Sequence, residues 1–267
     1  MDTSTLAARH DVMLLRSDAG GVTTLTLNRP KQFNALSMDM LDALQAALDD
    51  INQDQSVRVV VIAAHGKAFC PGHDLKEMLA NRTREFIGGL FDKCCQVMMT
   101  ITRIPQPVIA RVHGLATAAG CQLVATCDLA VASTEARFAT PGVNTGAFCA
   151  TPSVALGRNV SRKHAMEMLL TGETIDATRA REIGLVNRVV APEALGAEVD
   201  ALARRIASRS PSAIASGKRM FYRQLDLRTA DAYALASGVI ARDFVGKDGR
   251  EGLLAFVEKR APVWPAR

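Results

Sequence analysis

Residues 104–146 read IPQPVIARVHGLATAAGCQLVATCDLAVASTEARFATPGVNTG, the stretch in which the chain concentrates its chemistry. It opens with an apolar run from Pro107 to Val112, closed by Gly114. Short apolar runs bounded by proline and glycine are expected of buried parallel strands. The small-residue turn LATAAG follows, and residues 121–127 then read as a short helix. A strand feeding such a turn and then a helix leaves unpaired backbone N–H groups at the helix start, facing whatever binds there. Those donors suit a phosphate, a carboxylate or the developing oxyanion of an acyl group. The glycines do not fit GxGxxG and the chain holds no GxxxxGK[ST], so a nucleotide phosphate is not the favoured anion. A tight strand–helix joint in an α/β core, with no ligand, has the same local pattern.

Upstream, Val22–Leu27 alternates valine and leucine with threonine, the period of a half-buried strand, and should pair with residues 12–16 through the turn SDAGG. NRPKQFNAL forms a loop fixed by Pro30, and Ser37 is placed to cap a helix over 37–53. That helix carries Met40, Leu41, Leu44, Leu48 and Ile51 on one face. Residues 57–64 are a nearly unbroken β-branched run, expected of a strand covered on both sides. The next segment, AHGKAFCPGHDLKEM, reads as a structured loop that ends where Asp74 and Leu75 begin a helix. A long helix is predicted over 79–102, and Pro105 and Pro107 stop it.

Downstream, Thr151-Pro152 reads as an N-cap followed by a first helical residue, and Ser161 as the cap of a helix closed by Gly172. Asp176 caps a short helix ended by Gly184, and LVNRVV at 185–190 is a final strand. Four helices follow, at 192–208, 211–224, 228–245 and 248–259. The pattern is an α/β layer, residues 1–195, and a C-terminal helical region, residues 196–267.

The chain has 267 residues, a net charge of +5 and six cysteines. Nothing in it is long and apolar enough to span a membrane. The first residues, MDTSTLAARHD, lack the apolar core of a signal peptide and fit an amphipathic transit peptide poorly, so cytoplasmic residence is the expectation. No cysteine pair or Cys/His cluster has metal-ligand spacing, which points to free thiols and no metal. The positive charge is spread rather than gathered into runs, which argues against nucleic acid and suits a polyanionic small molecule.

Three motifs in order carry a resemblance: NRPKQFNALS at 28–37, KAFCPGHDLKEM at 67–78, and HGLATAAGCQLVATCDLAVAS with ARFATPGVNTG over 113–146. Together they resemble the enoyl-CoA hydratase/isomerase (crotonase) superfamily. The resemblance implies a spiral of repeated ββα units, although no internal sequence repeat is visible, with a C-terminal helical region that packs between subunits of a trimer or hexamer. It implies a coenzyme A thioester as substrate, with no cofactor. The thioester carbonyl would be held by two backbone N–H groups, falling here on His73 and Ala119. Lys31, Ala35 and the backbone of Gly72, Asp74 and Gly120 would line the coenzyme A groove. Phe256 and Lys259 would reach the nucleotide of a neighbouring subunit.

Hydratases of this family carry two glutamates, one in the helix after the glycines and one after the proline that follows. The matching positions here are Gln122 and Gly142, and neither can exchange a proton near neutral pH. Glu135 reads as a surface turn and Asp128 as a backbone anchor, which leaves His73, Cys149 and Asn144 as polar pocket candidates. An enzyme on acyl-CoA thioesters, a catalytically weak acyl-CoA-binding protein, and another crotonase reaction using His73 or Cys149 are all compatible with these residues.

Overall fold

The computed structural model describes residues 12–264; the reading of residues 1–11 lies outside them. β1 (Leu14–Ala19) and β2 (Val22–Leu27) form an antiparallel hairpin in which Ala19 faces Val22. The first strand thus runs three residues beyond the expected 12–16, because Gly20 and Gly21 alone complete the turn. α1 (Met38–Gln53) begins as expected at Ser37, whose hydroxyl accepts the Met40 N–H.

The chain then repeats one pattern. β3 (Val59–Ala64) and β4 (Ala68–Cys70) are followed by α2 (Leu75–Ala80) and α3 (Arg84–Arg103). β5 (Val108–Val112) and β6 (Leu115–Thr117) are followed by α4 (Ala119–Thr126). β7 (Leu129–Ser133) and β8 (Arg137–Ala139) are followed by α5 (Ala150–Asn159) and α6 (Arg162–Thr171). Next come β9 (Ile175–Asp176), α7 (Ala177–Glu182) and β10 (Arg188–Val190). The first strand of each pair joins a six-stranded sheet, ordered β1-β2-β3-β5-β7-β10, and the second joins a four-stranded sheet, ordered β4-β6-β8-β9. Each ββα turn therefore adds one parallel strand to both sheets, and the α/β spiral follows from the connectivity.

The unbroken apolar run over 57–64 is explained by burial on both faces. Val60 and Ile62 belong to the main core with Leu41, Leu44 and Leu48 of α1. Val59 and Val61 meet Leu195, Val199 and Leu202 of α8 (Leu195–Ala207) on the other face. Each such side chain contributes about 1.5–3 kcal/mol by leaving water.

Several local expectations are corrected. The long helix predicted over 79–102 starts later, at Arg84, because residues 79–80 still belong to α2 and the hydroxyl of Thr83 accepts the Phe86 N–H to start α3. α5 begins one residue before Thr151, so Thr151 lies inside the helix and caps nothing. Ser161 takes the N-cap position of α6, but its hydroxyl pairs with Nδ1 of His164 at 3.0 Å and not with the helix backbone. Asp176 does cap its helix, accepting the Arg179 N–H.

Beyond β10 the chain forms four α-helices among the described residues, α8, α9 (Pro211–Gln224), α10 (Thr229–Val245) and α11 (Lys247–Val257). Asp128 ties this region to the spiral. Its carboxylate accepts the Val108 N–H at 2.7 Å, Nζ of Lys218 at 2.7 Å and the Tyr222 hydroxyl at 2.8 Å. Lys218 also donates to the carbonyls of Ile101 and Gln106. Burial lowers the Lys218 pKa against the opposing pull of Asp128, and burial first, then the Asp128 charge, raises that of Tyr222. The reading of Asp128 as an anchor of backbone geometry is thereby given its partners.

Candidate active site

The site is built where β4 and β6 run out. Beyond β4 the chain turns through Pro71 and Gly72 into His73, and Asp74 starts α2 by accepting the N–H groups of Lys76 and Glu77. Residue 73 forms an isolated parallel bridge with Leu36. In that bridge the Leu36 N–H donates to the Gly72 carbonyl at 2.8 Å, and the Asp74 N–H donates to the Leu36 carbonyl at 3.2 Å. A parallel pairing that uses residues 72 and 74 turns the N–H of residue 73 to the opposite side. Among the described residues, the His73 N–H has no carbonyl partner.

The second donor comes from β6. Ala118 leaves that strand with φ 49° and ψ −119°, its N–H given to the Ala139 carbonyl at 2.9 Å. An alanine held there stores roughly 1–3 kcal/mol of backbone strain, which the surrounding structure must offset. The unusual angle sets the axis of α4, whose first residue is Ala119. The Ala119 N–H has no carbonyl partner either, as expected of a first helical residue.

Two glycines bring these amides together. Gly72 has φ 106°, and a Cβ there would lie 2.9 Å from the Ala118 Cβ and 3.2 Å from the Ala119 nitrogen. A Cβ on Gly120 would lie 2.0 Å from the Cys70 carbonyl oxygen. Gly120 therefore serves the contact between α4 and β4, and the His73 turn reaches the start of α4 because neither glycine carries a side chain.

The side chains at this place are neutral. Gln122 sits one turn into α4, buried, and its Oε1 has no partner. His73 places its ring edge-on to Phe91, centroids 4.6 Å apart, and its Nε2 is buried without a partner. Burial pushes the His73 pKa down from 6.5 to about 4, so the ring is uncharged at pH 7. Folded His73 resists a proton that the unfolded chain accepts, so stability is level above pH 6.5 and falls as pH drops from 6.5 toward 4. Chemical denaturation at pH 7 and pH 5 should show that drop, and His73→Gln should reduce it.

Gly142 lies in a short 3₁₀ turn, Pro141–Thr145, with its N–H donated to the Cys149 sulfur at 3.2 Å. A Cβ there would stand 2.4 Å from the Ala147 carbonyl oxygen and 2.8 Å from that sulfur. Crowding, and not a left-handed backbone, is what excludes a side chain. Burial raises the Cys149 pKa, although the Gly142 N–H opposes the shift, so this group is a thiol near neutral pH. Asn144 is exposed, and Glu135 lies at the exposed turn between β7 and β8.

Lys31 is exposed in the 3₁₀ turn Pro30–Gln32, and Ala35 is buried on the loop leading to Leu36. Phe256 and Lys259 are not brought to the amide pair. Phe256 lies on α11, which packs against α9 and α10, and the residue is 84% exposed. Two residues of the site carried no signal of their own in the sequence. Arg29 donates to the Ala35 carbonyl and the Ser37 hydroxyl, both at 3.0 Å, and to Asp74 at 3.2 Å. Asn34, fully buried with φ 65°, accepts the Arg29 N–H and donates to the carbonyls of His65 and Ala68. Among the described residues there is no cluster that could hold a metal and no helix long and apolar enough to cross a membrane.

Two sheets wound as ββα turns, with two unspent amides where the second sheet meets a helix start, define a crotonase-fold protein. Residues 17–267 match the family described as enoyl-CoA hydratase/isomerase, and the chain belongs to that family. It is 47% identical over 256 residues to enoyl-CoA hydratase domain-containing protein 3, mitochondrial, of Xenopus laevis, covering 96% of this chain and 87% of the relative. An enoyl-CoA hydratase structure from Mycobacterium smegmatis superposes with a TM-score of 0.93 at 55% identity, covering 95% of this chain and 99% of that one. Human enoyl coenzyme A hydratase domain-containing protein 3 superposes at 0.92 with 45% identity, covering 95% and 100%. These comparisons correct one expectation. Cytoplasmic residence, drawn from the first residues, is overturned by relatives at 43–48% identity that are named mitochondrial.

Proposed function

We propose that this chain is an enzyme on acyl-CoA thioesters that holds the thioester carbonyl between the N–H groups of His73 and Ala119. The observation that carries the reading is the pairing itself: two backbone donors without carbonyl partners, drawn together by Gly72 and Gly120. Charge develops on a thioester oxygen when C2 becomes enolate-like, and fixed donors aimed at that oxygen stabilise the charged state more than the ground state. The α4 dipole adds to them. Lys31 and Ala35 lie on the loop that would border the coenzyme A chain. The compartment is that of the named relatives, the mitochondrion.

The test is Ala119→Pro. Proline is tolerated at the first position of a helix, so the substitution removes a donor at little cost to α4 itself. Turnover of 2-enoyl-, 3-enoyl- or 3-hydroxyacyl-CoA should fall by about 10²–10³-fold while affinity changes little. A folded variant with unchanged turnover would remove the amide pair from the mechanism.

A second reading has its own support. Gln122 and Gly142 leave the site without a carboxylate at either expected position, which favours an acyl-CoA-binding protein with weak or no catalysis. Tight binding of all three thioester classes with turnover of none would establish it.

Assembly follows from the tail. A groove of about 880 Å³ runs between α9, α10 and α11, lined by Met220, Ile240, Phe244, Leu253, Phe256 and Trp264. Exposed apolar surface of this kind is rarely left to solvent, and a second copy of the chain is the occupant we assign. Phe256 and Lys259 would then meet a neighbour's site. Light scattering at micromolar concentration should give a trimer or hexamer, and a monomer would contradict the assignment.

A further inference from the structure

The direction of the His73 N–H depends on a short pairing whose flanks are held by side chains: the Thr117 hydroxyl donates to the Pro71 carbonyl at 2.9 Å, and the Glu77 carboxylate accepts the Met38 N–H at 3.1 Å. The bridge to Leu36 is isolated, and Leu36 lies on a loop that passes through two left-handed residues, Phe33 at φ 53° and Asn34 at φ 65°. Arg29 brackets that bridge. One nitrogen of its guanidinium reaches the Ala35 carbonyl and the Ser37 hydroxyl, the residues before and after Leu36. The other reaches Asp74, the residue after His73. The ion pair is largely buried, with side chains 20% and 14% exposed. Asp74 in turn uses its other oxygen to cap α2, so its carboxylate is fixed from two sides.

From this we infer that Arg29, through its fork to Ala35, Ser37 and Asp74, is the positioning residue that aims the His73 N–H at the substrate carbonyl. The inference rests on the reading of the amide pair given above. Arginine suits the task because its planar fork fixes two directions at once, which a lysine ammonium cannot do. Losing the fork frees the bridge to shift, and a donor that swings off line loses most of its strength. Arg29 touches no reacting atom; it acts through residue 73.

The test uses the full chain with butyryl-CoA isotopically labelled at the carbonyl carbon, and reads the carbonyl stretch by difference infrared spectroscopy. Wild type should lower the frequency relative to the free thioester. Arg29→Met should lose most of that lowering, while affinities for butyryl-CoA and for free coenzyme A both stay within about twofold of wild type. Arg29→Lys should recover part of the shift. Asp74→Asn keeps an N-cap acceptor for α2 while breaking the ion pair, and should behave like Arg29→Met. It decides the matter if Arg29→Met does not fold.

Wild-type carbonyl frequencies in the folded variants would overturn the inference. So would parallel losses of butyryl-CoA and coenzyme A binding with the frequency unchanged, since Arg29 would then be only a structural clamp. A wild-type protein that binds butyryl-CoA without lowering the frequency would overturn the amide-pair reading and this inference with it.

Discussion

Crotonyl-CoA offered to the wild-type protein is expected to be hydrated at least about 10⁴-fold more slowly than by a family member carrying both glutamates. A positioned general acid or base contributes roughly 10²–10⁴-fold, and this site lacks both carboxylates. Gln122 occupies the first position as a neutral carboxamide, and His73, held down to about pKa 4, is not a cation that could deliver a proton at pH 7. The two positions should respond differently to repair. Gln122→Glu changes no volume and should fold, raising hydration by about 10–10²-fold at a pH where the buried acid ionises. Gly142→Glu should not fold, because its Cβ would stand 2.4 Å from the Ala147 carbonyl oxygen. Steady-state assays paired with thermal melts of both variants check this. Hydration by wild type at the ordinary family rate would show that another residue supplies the proton transfers.

Gly120→Ala is expected to abolish acyl-CoA binding and to destabilise the fold by more than about 3 kcal/mol. The added carbon would lie 2.0 Å from the Cys70 carbonyl oxygen and 2.7 Å from its carbon. Overpacking against movable side chains costs about 1–3 kcal/mol, and here the neighbour is backbone in a strand that cannot step aside. Either α4 moves away from β4, separating the two amides, or β4 leaves its pairing with β6. Gly157→Ala, on α5 with open space around its α-carbon, is the matched control and should be neutral or slightly stabilising. Urea denaturation and calorimetric titration with butyryl-CoA check both.

The long elements were legible because their periodicity is strong. α1 shows a helical stripe, and β3, β5 and β7 are apolar on both faces because core packs on one side and α8 on the other. The second sheet was not legible. β4, β6 and β8 are three-residue strands, and AFC, LAT and RFA are too short to show any alternation. Their pairing is set by the spiral, not by local pattern, so AHGKAFC and LATAAG read as loop and turn. The helix caps divide by the same logic. Asp74 and Asp176 act as read, while Thr151 is overtaken by a helix that starts a residue earlier.

The candidate site was legible where backbone does the work and dark where a side chain holds backbone. His73 and Ala119 enter the proposal through motifs that resemble a known family. Arg29 could not, since NRP after a strand reads as a loop beginning, and its three acceptors lie on residues 35, 37 and 74. The obstacle at Gly142 was equally hidden, because it comes from Ala147 and Cys149 folding back over the turn.

A crystal structure with butyryl-CoA bound would locate the thioester oxygen itself. That oxygen should lie within about 2.7–3.1 Å of both the His73 and the Ala119 nitrogens, with Gln122 beside the acyl chain. A thioester oxygen held by any other pair of donors, or left facing solvent with both amides unoccupied, would contradict the amide-pair reading.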